Sequence, residues 1–267
     1  MSPRPAAPKG ARTAAGGEGT PVNTRAMILA AGRGERMRPL TDERPKPLLE
    51  VRGKPLMQWP MDALAAGGFA QLVVNTAWLG EQIVSRFGPR HATSDIVYSH
   101  EGRDFGGALE TAGGIVRALP QLGGIFWVLA GDVFAPDFIF SQAAVDRFAA
   151  GGRLAHLWLV PNPPHHPCGD FGISPDGLGL NDAPTKYTFS TIGLYRAALF
   201  APPYCDIPAG NPGGVKAPLA PLLRAAMADG RVGVELYEGA WTDVGTPERL
   251  AALNAGEQPV RGGAGID

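Results

Sequence analysis

Two glycines, Gly32 and Gly34, follow a short apolar run in Leu29-Ala30-Ala31-Gly32-Arg33-Gly34-Glu35-Arg36-Met37, and the cations Arg36 and Lys46 come after them. Glycine leaves backbone N–H groups bare, so Ala31, Gly32, Gly34 and Glu35 can close around phosphate oxygens where larger side chains would obstruct them. Arg36 and Lys46 add the positive charge that a polyphosphate needs, and both are catalytic candidates as well as phosphate ligands. Arg33 and Arg38 read as solvated. A dinucleotide fingerprint would need a third glycine where Met37 stands, and a Walker loop would need Gly-Lys-Ser or Gly-Lys-Thr, so this loop is neither. Two carboxylates complete the set. Asp132 follows the apolar residues 126–129 and Gly131, and Asp243 sits in Trp241-Thr242-Asp243-Val244-Gly245-Thr246. The carboxyl end of a buried strand is where an open α/β sheet presents its ligands, and Mg²⁺ takes one or two carboxylates besides phosphate oxygens and waters. Either aspartate alone would also serve as a turn or helix-start residue.

The loop continues through Pro39-Leu40-Thr41 and Pro45 to Lys46-Pro47. In that full form it resembles the signature of the nucleoside-diphosphate-sugar pyrophosphorylases, Gly-x-Gly-x-Arg-(Leu or Met)-x-Pro-Leu-Thr ending in Pro-Lys-Pro. The resemblance extends over residues 25–254, and within the family the chain is similar to the N-acetylmuramate 1-phosphate uridylyltransferases. It implies Mg²⁺-dependent in-line transfer of a uridylyl group from UTP to N-acetylmuramate 1-phosphate, with release of pyrophosphate, in peptidoglycan recycling. Lys46 would help hold the reacting phosphates, Arg36 would neutralise the departing pyrophosphate, and Asp132 and Asp243 would chelate the metal. Asn75, Thr111 and Gly113 would contact base and ribose, and Asn162, Gly169, Asp170 and Thr191 would contact the sugar phosphate. No Ser-His-Asp or Cys-His set is required, because a phosphate monoester has a second pKa of about 6 and brings its own nucleophilic oxygen.

GTP with mannose 1-phosphate, or CTP with another phosphate, would use the same loop, and a non-catalytic nucleotide-sugar sensor is a reading of another class. Many hexose-1-phosphate members carry Glu-Lys-Pro before the strand at residues 187–195. This chain has Asp182-Ala183-Pro184-Thr185-Lys186 instead, which argues against glucose or mannose and leaves Lys186 without a clear role. His165-His166-Pro167-Cys168-Gly169-Asp170 could be taken for a soft-metal cluster, but no second ligand group stands at zinc-site spacing, so it reads better as a pocket wall or exposed loop.

The elements that must position these residues follow from the apolar pattern. Residues 25–30, 71–75, 95–98 and 126–129 read as buried strands, alternating with helices from Pro55 to Gly67, around Leu79, Ile83 and Phe87, and over residues 114–119. The expected fold class is α/β, a Rossmann-like, doubly wound, mostly parallel sheet with helices on both faces, of the nucleotide-diphospho-sugar transferase type. Strands at 153–160, 187–195 and 232–237 and helices at 216–227 and 246–254 belong to a second half that shapes a pocket. The expected organisation is a disordered extension at residues 1–24, one domain at 25–256 with a nucleotide-binding half (25–150) and a sugar-phosphate-binding half (151–256), and a tail at 257–267.

In the 267 residues, 24 Lys plus Arg against 25 Asp plus Glu leave no basic excess for nucleic acid or anionic lipid. No apolar run reaches the ~20 residues needed to span a bilayer. The two cysteines, Cys168 and Cys205, have no redox-like or metal-like spacing and read as reduced thiols of a cytoplasmic protein. The expected partners are small molecules only.

Overall fold

The computed structural model describes residues 24–256, so residues 1–23 of the expected extension and the tail at residues 257–267 lie outside the described residues, whereas Thr24, counted with the extension, is buried. The apolar run before the glycine loop is β1 (Arg25–Leu29), buried at its three central positions. After it come α1 (Gln58–Ala66), β2 (Gln71–Thr76), α2 (Gly80–Phe87), β3 (Arg90–His91), β4 (Ser94–His100), α3 (Glu101–Phe105), α4 (Glu110–Leu122) and β5 (Ile125–Ala130). The second half adds α5 (Gln142–Ala150), β6 (Ala155–Val160), β7 (Thr188–Arg196), α6 (Ala220–Ala228), β8 (Val232–Leu236) and α7 (Pro247–Asn254).

These strands form one eight-stranded sheet in the order β8-β6-β7-β5-β1-β2-β4-β3. β7 runs antiparallel to β5 and β6, β3 runs antiparallel to β4, and the remaining pairs are parallel. The sheet is therefore mostly parallel and covered on both faces. Met27 packs into a cluster with Ile115, Val116 and Leu223, whereas its neighbours Ala26 and Ile28 join Met61, Leu64 and Phe148 on the other side. That period-two split of one strand is what burial on both faces requires. From β1 the chain winds outward to β2 and β4, then returns to β5 on the opposite side of β1. This reversal opens a crevice beyond the carboxyl ends of β1 and β5, from which the glycine loop and Asp132 emerge.

Some boundaries differ from the sequence reading. The helix expected to open at Pro55 begins at Gln58, because Lys54–Pro55 pairs with Glu50–Val51 in a short antiparallel ribbon. α6 begins at Ala220 rather than at residue 216, because the preceding backbone is committed to α4: Ala112 and Gly113 donate their N–H groups to the Ala217 carbonyl. The Pro-rich stretch of the second half contains a small hairpin, Gly172–Ile173 with Gly179–Leu180. No helix among the described residues is long and apolar enough to cross a membrane.

Candidate active site

A cavity of about 820 Å³ fills the crevice, and Ala31, Gly32, Gly34, Glu35, Arg36 and Lys46 line one side of it. Gly34 has φ +69°, and a Cβ there would lie 3.0 Å from Thr41 Cγ2 and 3.3 Å from Lys46 Cβ. Both the backbone conformation and the close approach call for glycine. The Thr41 hydroxyl donates to the Gly34 carbonyl at 2.8 Å, and Met37 N–H donates to the same oxygen at 2.9 Å, which closes the turn.

Four of the cations in this region, Arg33, Arg36, Arg38 and Lys46, divide cleanly. Arg38 donates to Asp42 at 2.8 Å and is largely exposed, as its sequence suggested. Arg33 is not simply solvated: its guanidinium lies 3.6 Å from the Trp78 ring centroid and donates to the Thr41 carbonyl and to Asp42. The Arg33 hydrogen bond, opposed by partial desolvation and helped by Arg38, holds the Asp42 carboxyl below its usual range. Arg36, by contrast, has no ion-pair partner among the described residues and is exposed at the cavity. Lys46 is mostly buried, and its ammonium group donates to Asp132 Oδ2. The pair brings the end of the glycine loop against the end of β5.

Asp132 is carried there by a tight contact between strand ends. Gly131 N–H donates to the Leu29 carbonyl at 2.9 Å, and a Cβ on Gly131 would lie 3.1 Å from that oxygen. Asp243 is a backbone neighbour: Thr242–Asp243 pairs antiparallel with Val133–Phe134, and Val244 N–H donates to the Asp132 carbonyl at 3.0 Å. The two aspartates are thus brought together, although Asp243 is set behind the cavity wall, where Gly245 rather than Asp243 is in the lining. Its carboxylate lies 2.5 Å from Arg249 and 2.9 Å from His165. Among the described residues no three His, Cys, Asp or Glu side chains form a group able to hold a metal by themselves. In the His-rich loop, His165 turns to Asp243, His166 lies 3.2 Å from Asp170 and Cys168 is exposed. The hard-oxygen donors Asp132 and Asp243 suit a cation completed by phosphate oxygens and waters, as Mg²⁺ is.

In the nucleotide half, Asn75 and Thr111 line the cavity as expected. Asn75 is buried, and its Oδ1 accepts the Ala30 N–H at 2.7 Å. Its Nδ2 donates to Glu101 Oε1 at 2.8 Å, and Leu109 N–H donates to Glu101 Oε2 at 2.8 Å. Glu101 thereby ties the ends of β1, β2 and β4 to the start of α4. Sequence reasoning missed it, because a single Glu beside Arg103 and Asp104 looks like an ordinary exposed charge. Gly113, expected beside them, does not line the cavity. It is buried, and a Cβ there would meet the Val215 carbonyl at 2.5 Å, so this glycine serves close packing.

Burial, only partly offset by the Leu109 and Asn75 hydrogen bonds, pushes the Glu101 carboxyl above its usual 4.5. Glu101→Gln is expected to destabilise the fold by about 1–3 kcal/mol, because the new amide NH₂ must face either the Asn75 NH₂ or the Leu109 N–H. Flipping Asn75 would give no relief, since its Oδ1 already takes the Ala30 N–H. The raised pKa favours the native state most below pH 4.5, and that contribution fades as pH rises through the folded-state value. The gap between wild type and variant in urea denaturation should therefore narrow with increasing pH.

In the sugar half, Asp170 and Thr191 line the cavity. Asp170 Oδ2 accepts Phe189 N–H at 2.8 Å. Thr191 stands at φ +68° within the irregular register between Phe189 and Gly193, and its hydroxyl oxygen is buried without a hydrogen-bond partner. Asn162 and Gly169 are not in the lining. Asn162 is a strut that donates to the Pro167 and Lys186 carbonyls and accepts from Thr188, while Gly169 allows the close approach of Asn162 and Lys186. Lys186 pairs with Asp182 at 3.6 Å. Arg224, which the sequence did not single out, lies on α6 at the cavity with its guanidinium 5.2 Å from the Phe171 ring centroid.

Residues 25–177 match the family model described as nucleotidyl transferase. An N-acetylmuramate alpha-1-phosphate uridylyltransferase of Neisseria meningitidis is 46% identical over 243 residues, covering 86% of this chain and 97% of the relative. One of the same description from Caulobacter vibrioides is 36% identical, covering 86% of this chain and 95% of the relative. A solved Bacillus anthracis structure, described as a glucose-1-phosphate thymidylyltransferase in complex with a sucrose, superposes with a TM-score of 0.74 at 20% identity, covering 90% of this chain and 97% of that one. At that identity the likeness speaks for the fold alone. With a family model spanning more than half of the sequence and two near-full-length relatives above 30% identity, the chain belongs to the nucleotidyl transferase family.

Proposed function

We propose that this enzyme transfers a uridylyl group from UTP to N-acetylmuramate 1-phosphate, giving UDP-N-acetylmuramate and pyrophosphate. The observation that carries the reading is the Lys46–Asp132 pair, held beneath the glycine loop at the β1/β5 crevice in a chain 46% identical to a uridylyltransferase of that description. The backbone of residues 31–35 cradles the triphosphate, and Arg36, which has no carboxylate partner among the described residues, takes the charge that develops on the departing pyrophosphate. An oxygen of the sugar phosphate attacks the α-phosphorus as the bond from that phosphorus to the β-bridging oxygen breaks in line with it. Lys46 leaves Asp132 for the reacting phosphates, where its charge is of use only once substrate is bound. Mg²⁺ held by Asp132 and Asp243 would supply further charge neutralisation and orientation at the triphosphate. The substrates are soluble small molecules, and the reading assigns a cytoplasmic protein that needs neither nucleic acid nor membrane.

Arg224 supports the choice of sugar. N-acetylmuramate carries a carboxylate on its lactyl ether, whereas glucose and mannose 1-phosphates carry no charge beyond the phosphate. An arginine at the sugar half of the cavity suits that carboxylate. Arg224→Ala is expected to raise KM for N-acetylmuramate 1-phosphate by about 10- to 100-fold, the loss of one charge-assisted hydrogen bond, with KM for UTP unchanged. N-acetylglucosamine 1-phosphate, which lacks the lactyl group, is the control: an equal rise in its KM would refute the pairing.

A further inference from the structure

Asp243 is gripped by a residue that has no part in the mechanism above. Arg249 Nη1 donates to the Asp243 main-chain carbonyl at 2.9 Å and lies 2.5 Å from Oδ2 of the same residue. The local sequence is built to fold this side chain backward. Thr246 caps α7, its hydroxyl accepting Arg249 N–H at 3.4 Å, and Gly245 N–H donates to the Asp243 carbonyl at 2.9 Å. A Cβ on Gly245 would lie 2.6 Å from Arg249 Nη2, so a larger residue there would displace the guanidinium. A cation in the first turn of a helix works against the helix dipole, by about 0.3–1 kcal/mol at exposed sites. The start of α7 therefore gains nothing from Arg249, whereas the carboxylate does.

The other carboxylate oxygen is placed differently. Asp243 Oδ1 is buried and has no hydrogen bond. His165 Nε2 lies 2.9 Å away, without the alignment a hydrogen bond requires, and is itself 2.8 Å from Arg249 Nη1. One oxygen is thus clamped, and the other makes no hydrogen bond and faces His165, where the Pro-rich loop of the sugar half meets the carboxylate. We propose that Arg249 is a positioning residue: by holding Oδ2 and the main-chain carbonyl, it fixes the rotation of the Asp243 carboxylate so that Oδ1 is the oxygen offered to the divalent cation. The proposal rests on the reading of Asp243 as a metal carboxylate. Both acceptors are met by the same nitrogen, Nη1, so a lysine ammonium, a compact point charge on a more flexible stem, restores part of the constraint but not the fixed direction of approach.

The test uses the full chain with Mn²⁺ as the probe, free Mn²⁺ being read by electron paramagnetic resonance, and in parallel the Mg²⁺ concentration at half-maximal turnover. Arg249→Met keeps the aliphatic stem and removes the donors. It is expected to weaken Mn²⁺ binding and raise the Mg²⁺ requirement by about 10-fold or more, the effect of losing a partner that orients a metal ligand, while turnover at saturating Mg²⁺ stays within a few-fold of wild type. Arg249→Lys should fall between the two, and it carries the test if the Met variant folds poorly. Asp243→Asn separates the two levels of the argument. If Asp243→Asn shifts both metal readings and Arg249→Met shifts only the melting temperature, Arg249 is a structural staple and the proposal is overturned. If Asp243→Asn shifts neither, the metal assignment itself is wrong and the proposal falls with it.

Discussion

Lys46→Ala is expected to lower turnover by about 100- to 1000-fold, the usual cost of removing one preorganised charge from a site where negative charge develops. The loss should appear in kcat more than in the KM for the sugar phosphate, because the ammonium group acts on the reacting phosphates. In the absence of substrate the lysine is mostly buried and paired with Asp132, whose own side chain is about one-third exposed. Water can solvate that carboxylate once the lysine is gone, so the melting temperature should move by only a few degrees. Rapid-quench single-turnover measurements of pyrophosphate release at saturating UTP would check the rate, and scanning calorimetry the fold. Turnover within a few-fold of wild type would contradict the role given to Lys46.

Asp132→Asn should cost a comparable 100- to 1000-fold, for a different reason. The amide keeps the size of the side chain and can still accept a hydrogen bond from Lys46, but it cannot supply the negative charge that a divalent cation requires. Added Mg²⁺ should recover only part of the activity, in contrast to Arg249→Met, in which the carboxylate remains and excess metal can compensate. A Mg²⁺ titration of both variants distinguishes a lost ligand from a badly aimed one. The double variant Lys46→Ala with Asp132→Asn should be less than additive, because each residue's arrangement depends on the other.

How far these residues could be read without coordinates follows from the range of the interactions involved. The glycine loop is local: Gly34, Thr41 and Lys46 touch within one turn-rich segment, so their spacing carries the geometry. β1, β2 and β5 are continuous apolar runs because both sheet faces are covered, and the same burial made Asp132 conspicuous at a strand end. Contacts that close over long separations leave no such trace. Nothing near Glu101 hints that Asn75 and Leu109 will surround it, and nothing near Asp243 hints that His165, from the other side of the pocket, will meet it. The family resemblance points to Asn162 and Gly169 as sugar contacts, yet the Asn162 amide holds the Pro167 and Lys186 carbonyls and Gly169 gives room for that packing. α5 has a weak sequence signal, because its buried face is only Ala144, Val145 and Phe148, too short a stripe for a helical period to stand out. The antiparallel course of β7 was equally hidden, since strand direction is set by how the chain returns to the sheet and not by the strand's own residues.

The central claim is a pairing of two substrates at one site. Pyrophosphate release measured for UTP, GTP, CTP and dTTP, each crossed with the 1-phosphates of N-acetylmuramate, N-acetylglucosamine, mannose and glucose, tests it directly. The account requires the highest kcat/KM for UTP with N-acetylmuramate 1-phosphate, with formation of UDP-N-acetylmuramate. Preference for GTP with mannose 1-phosphate, or nucleotide binding without pyrophosphate release from any pair, would contradict it.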